Sequence, residues 1–128
     1  MDLFIVEDSV PIRDRLVRSI EDLPDLAIVG TAGDVAPAIE GLKAKRPDAL
    51  ILDLQLPGGS GLEVLRAALA ALPALHVLVL TNFAAEPYRR AAMDAGAEEF
   101  LDKTSDFPKV RDILARWSGQ SRPLSVTH

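Results

Sequence analysis

Short apolar runs alternate along this chain with longer segments in which apolar residues recur every three or four positions, and turn formers separate the two. Leu3 to Val6 reads as a first strand. Glu7-Asp8-Ser9 ends it and offers N-cap side chains to a helix with Pro11 in its first turn and Ile12, Leu16, Ile20 and Leu23 on one face, stopped by Pro24. Leu26 to Gly30 forms a second strand, after which Asp34 can cap a helix carrying Val35, Ile39 and Leu42 that closes before Pro47. Ala49 to Leu52 is the third strand; it ends on Asp53 and the loop Leu-Pro-Gly-Gly-Ser-Gly, before a helix marked by Leu62, Leu65, Leu69 and Leu72. His76 to Leu80 is the fourth strand, followed by Thr81-Asn82 and a helix around Tyr88, Ala92 and Ala95 that closes at Gly96. Glu98 to Asp102 makes a fifth strand, and a last helix runs from about Phe107 to Trp117 with Val110 and Leu114 on one face. Ser118 to His128 has no period and reads as a flexible tail or linker stump after a domain of residues 1–117.

Five β-α repeats predict a doubly wound α/β fold: a five-stranded parallel sheet with helices on both faces, because parallel strands need crossover connections and runs such as Leu50-Ile51-Leu52 must be buried on both sides. In such sheets functional groups gather at the carboxyl ends of the strands. Those ends carry Glu7-Asp8, Asp53, Thr81 and Lys103. Carboxylates brought together there repel unless a cation, a shared proton or a lysine joins them. A hard ion such as Mg²⁺ answers that need, and Asp53 beside it becomes a plausible oxygen nucleophile toward phosphorus.

Composition narrows the chemistry further. A chain of 128 residues fits one domain. With no Cys and only His76 and His128, it has no thiolate nucleophile and no soft-metal site, so any metal must be held by oxygen. The net charge of -5 argues against a broad footprint on nucleic acid or anionic membrane. No apolar stretch reaches membrane-spanning length and the amino terminus lacks the basic region of a secretory signal, so a cytoplasmic location is expected.

Taken in order, these residues resemble the receiver domains of two-component response regulators over residues 1 to 117. Glu7-Asp8 is similar to the acidic pair that helps hold Mg²⁺ (or Mn²⁺), Asp53 to the phosphoacceptor, and Pro57 with Gly61 to the loop that follows it. Thr81 is similar to the switch hydroxyl, Lys103 to the lysine that contacts the acyl phosphate, and Phe100 to the switch aromatic. The resemblance implies that the backbone carbonyl of Gln55 joins Glu7, Asp8 and Asp53 around the metal, and that the fold is flavodoxin-like with strand order 2-1-3-4-5. It further implies a phosphorylation-dependent switch, not an enzyme apart from its own phosphorylation and dephosphorylation. Phosphate would come from a histidine kinase or histidine phosphotransfer protein. A downstream protein would be contacted through the face of helix 4, strand 5 and helix 5, by a monomer or a phosphorylation-dependent dimer. As it stands the chain reads as a stand-alone receiver; the alternative is the receiver portion of a longer DNA-binding regulator.

Two departures matter. Many receivers have Pro after the lysine, whereas Thr104 stands here, so a cis peptide is not expected and the loop is free to take another course. Phe83, two residues past Thr81, is bulky enough to shield Asp53 and slow loss of phosphate. Other readings fit less well. A dehalogenase-like phosphatase usually carries a second Asp two residues after the nucleophile, where this chain has Gln55. A flavin or nucleotide module needs a Gly- or hydroxyl-rich first loop, where this chain has Glu-Asp-Ser-Val-Pro. Alone, each residue also has an ordinary role: Glu7-Asp8 as a helix start, Asp53 as a turn starter, His76 as a strand edge, Arg89-Arg90 as a solvated face and Trp117 as helix packing.

Overall fold

The structure, a computed structural model, describes residues 1–82 and 84–120. Five strands form one parallel sheet: β1 (Asp2–Val6), β2 (Ala27–Ala32), β3 (Ala49–Leu52), β6 (His76–Thr81) and β7 (Glu99–Asp102). Their order across the sheet is β2-β1-β3-β6-β7. Counting sheet strands alone, this is the 2-1-3-4-5 order expected above. A two-residue antiparallel ladder, β4 (Gln55–Leu56) against β5 (Gly59–Ser60), lies between β3 and the following helix inside what the sequence shows only as a turn-rich loop.

Side-chain alternation sorts the strands' residues into two cores. Phe4, Val6, Leu50, Leu52, Val77 and Val79 face helices α2 (Val35–Lys45), α3 (Gly61–Ala71) and α4 (Glu86–Asp94). Leu3, Ile5, Ile51, Leu78, Leu80 and Leu101 face α1 (Val10–Ile20) and α5 (Lys109–Gln120). Because consecutive residues of the central strands are all buried, these strands read as continuous apolar runs rather than as an alternating pattern.

The helix boundaries follow local chemistry, with differences from the sequence reading. Ser9 is the α1 N-cap, its hydroxyl accepting from the Ile12 N–H at 3.4 Å; that role does not fall to Asp8, which leaves Asp8 for other work. Asp34 occupies the α2 cap position without a side-chain cap bond. Gly96 follows α4 at φ +113°, where an L side chain would be strained; its N–H reaches the Met93 carbonyl while that of Ala97 reaches Ala92, closing a Schellman motif. The second strand begins at Ala27 and runs on to Ala32, because edge pairing with β1 carries it past Gly30. The last helix starts at Lys109 and continues to Gln120, with Ser118 buried; the remainder of the expected tail, 121–128, lies outside the described residues. No helix among the described residues is long and apolar enough to cross a membrane.

Candidate functional site

The parallel register brings the carboxyl ends of β1, β3, β6 and β7 to one edge of the sheet, so residues far apart in sequence become neighbours. Backbone bonds prolong the ladder just past each strand: Glu7 N–H to Ala32, Asp53 N–H to Val6, and Lys103 N–H to Thr81. Each functional side chain therefore leaves from a backbone fixed on its neighbour.

Lys103 lies at the centre. Its Nζ is 2.6 Å from Glu7 Oε1 and 2.7 Å from Asp53 Oδ2, and all three side chains are almost fully buried. The second oxygens are also engaged, Glu7 Oε2 by the Ser9 N–H at 3.0 Å and Asp53 Oδ1 by the Gln55 N–H at 3.1 Å. Burial raises the Glu7 carboxyl above its ordinary value, and the Lys103 ammonium and Ser9 N–H only partly oppose it. Burial alone would lower the Lys103 pKa, but its bonds to Asp53 and Glu7 more than compensate and raise it. The ammonium is thus held charged between two acids.

Asp8 completes the group. It is exposed at the mouth, and one carboxylate oxygen from each of Glu7, Asp8 and Asp53 lies within 4.8 Å of the others. Three carboxylates against one ammonium leave a formal excess of two negative charges when all are ionised. An all-oxygen donor set with that excess and an exposed member fits a hard divalent cation. These residues line a cavity of about 620 Å³, open to solvent, to which Gln55, Pro57, Ser60 and Asn82 also contribute.

The geometry of the loop after Asp53 depends on Gly61. Its N–H donates to the Leu54 carbonyl at 2.9 Å, and a Cβ placed there would stand 2.4 Å from the Asp53 carbonyl oxygen and 2.5 Å from Leu54 Cα. Only a residue without a side chain lets α3 begin so close beneath Asp53.

Of the residues singled out from the sequence, Glu7, Asp8, Asp53 and Lys103 meet directly, and Gln55 lines their cavity. Thr81 is fully buried at the end of β6, its carbonyl accepting from Lys103; it is Asn82, next along, that lines the cavity. Phe100 stands apart, half-buried on the α4 side of β7 against the first core. Phe83 lies outside the described residues. His76 is remote from the acids: at the start of β6 it pairs with Glu98 at 2.7 Å and stacks on Trp117, 5.1 Å between ring centroids. Sequence reasoning overlooked Asn82 and Ser60 as cavity residues. Asn82 carried a signal, since it directly follows a strand end, whereas Ser60 reaches the site only through the small β4-β5 ladder, which has no apolar pattern to betray it.

The family model described as the response regulator receiver domain matches residues 3–115. The chain belongs to that family. The transcriptional activator DevR/DosR of Mycobacterium tuberculosis is 38% identical over 101 residues, 79% of this chain and 46% of that protein. A protein-glutamate methylesterase/protein-glutamine glutaminase of Methylobacillus flagellatus is 39% identical over 110 residues, 84% of this chain and 30% of that one. The chain thus spans less than half the length of these relatives. Among solved structures, a LuxR-family response regulator from Aurantimonas sp. SI85-9A1 superposes with TM-score 0.84 at 27% identity, covering 94% of this chain and 86% of that one. The response regulator domain of Thermotoga maritima CheB gives 0.81 at 25% identity, covering 94% and 95%.

Proposed function

We propose that this receiver domain is a signalling switch set by phosphorylation of Asp53. The observation that carries the reading is the paired arrangement of Asp53 and Glu7 on Lys103, with Asp8 exposed beside them. Mg²⁺ (or Mn²⁺), held by Glu7, Asp8, Asp53 and the Gln55 carbonyl, would offset negative charge on an incoming phosphoryl group. A carboxylate oxygen of Asp53 attacks phosphorus as the bond from phosphorus to the donor's leaving group breaks, giving an aspartyl phosphate. Hydrolysis of that acyl phosphate returns the carboxylate and inorganic phosphate.

Lys103 supports this step without a proton transfer of its own. Its ammonium already bonds Asp53 Oδ2, so it can follow the new phosphoryl oxygens while Glu7 keeps it charged and in place. Thr81 and Phe100 then act as the switch pair, linking the acceptor to the face formed by α4, β7 and α5. The donor is a histidine kinase or histidine phosphotransfer protein, the receiver is cytoplasmic and its output is a protein contact rather than turnover. Incubation with Mg²⁺ and a small acyl-phosphate donor should add the mass of one HPO₃ to the intact protein. EDTA should abolish the gain; a gain that persists in EDTA, or none with any donor, refutes the reading.

A further inference from the structure

The active lysine stands at the start of a loop, a poor place from which to aim a side chain unless the backbone is tied down. Its amino side is tied by its own N–H to the Thr81 carbonyl. Its carboxyl side, where Thr104 follows directly, is held by two acids that the sequence reading gave no role. Asp102 Oδ1 accepts from the Thr104 N–H at 2.7 Å and lies 3.4 Å from the Ser105 nitrogen. Asp106 Oδ2 accepts from the Asp102 N–H at 3.0 Å, while the Asp106 N–H donates back to the Asp102 carbonyl at 2.9 Å. Asp106 Oδ1 pairs with Lys109, the first residue of α5, at 3.1 Å. Lys103 is therefore enclosed in a ring of bonds between residues 102 and 106, several of them strengthened by carboxylate charge, and that ring is joined to the next helix. The Asp102 N–H and Lys109 hold the Asp106 carboxyl below its ordinary value, so the ring keeps its charge at neutral pH.

We propose that Asp102 and Asp106 are positioning residues for Lys103, setting its ammonium between Glu7 and Asp53 in place of a rigid proline turn. This rests on the reading of Lys103 as the partner of phosphorylated Asp53. A geometric fault of 1 Å at a reacting group can cost roughly a hundredfold in rate. Asp102→Ala, which loosens the loop without touching the crevice, should therefore slow phosphorylation by on the order of tenfold at saturating donor, with little change in the donor concentration for half-saturation. Asp102→Asn keeps an acceptor oxygen for Thr104 and Ser105 and should restore most of the rate.

The companion readout does not involve phosphate. In the wild-type chain, acetic anhydride should label Lys103 slowly relative to exposed Lys43 and Lys45, by mass spectrometry. Asp102→Ala should expose Lys103 to labelling several-fold faster, and Asp102→Asn should keep it protected. Should Asp102→Ala fail to fold, Asp106→Ala, which removes only the side-chain oxygen that accepts from the Asp102 N–H and the Lys109 pair, is expected to shift the same label. Wild-type labelling of Lys103 in both alanine variants overturns the proposal, as does a slowed rate that asparagine fails to rescue. A wild-type chain that accepts no phosphate would instead overturn the functional reading, leaving the labelling to judge the positioning by itself.

Discussion

At the residue scale, the site is an electrostatic balance in which one ammonium separates two buried carboxylates and a third waits at the surface. Removing one member of a buried ion pair leaves the other charges uncompensated, at a cost of about 3–5 kcal/mol. Lys103→Ala should fall toward the lower end of that range without metal, because Glu7, already pushed upward by burial, can take up a proton. Mg²⁺ should then raise the melting temperature of Lys103→Ala by more than that of the wild-type protein; an equal or smaller increment would show that the metal and the lysine do not share these carboxylates. Gly61 sets a different limit. Its contact with the Asp53 backbone leaves no room for a methyl group, so Gly61→Ala should lose about 1–3 kcal/mol in urea denaturation and slow phosphorylation as well. Unchanged stability would mean that the loop after Asp53 is more yielding than its packing implies.

At the element scale, α1 and α5 cover the same face of the sheet and are tied at the surface as well as in the core. Arg111 of α5 donates to both carboxylate oxygens of Asp22, at 2.6 and 3.2 Å, and to the Ser19 carbonyl at 2.9 Å. The Arg15 guanidinium lies 3.9 Å from the centre of the Phe107 ring, beside the loop that carries Lys103. The bonds from Arg111 lower the Asp22 pKa below its ordinary 3.8. A carboxyl depressed in the folded state stabilises the fold above its unfolded pKa and loses that contribution as pH falls through the folded value. The difference in urea midpoint between the wild-type protein and Asp22→Asn should thus be constant above 3.8 and shrink below it. Because the pair is exposed, the difference should be small and should diminish with added salt; a gap that widens in acid would contradict the sign.

At the scale of the whole molecule, what was legible in the sequence was whatever repeats or stands at a boundary. Runs such as Leu50-Ile51-Leu52 declare buried strands, prolines and glycines bound the helices, and the acids and lysine that end strands declare the crevice because parallel strands all finish at one edge. What escaped was set by tertiary geometry. The β4-β5 ladder is too short for a period, and α5 continues past Trp117, with Ser118 buried in its last turn. Asp102 and Asp106 look like ordinary loop acids until the chain is folded and their bonds close around Lys103. Thr104 signalled a different loop course without revealing what replaces the proline.

Asp53 is proposed as the phosphate acceptor among three carboxylates grouped within 4.8 Å of one another. Borohydride reduction of the phosphorylated protein converts an aspartyl phosphate to homoserine, and peptide sequencing by mass spectrometry locates it. Homoserine at position 53 alone, and none in Asp53→Asn, is the expected result. Reduction products at Asp8 or Glu7, or no product from a protein that carries phosphate, would contradict the assignment.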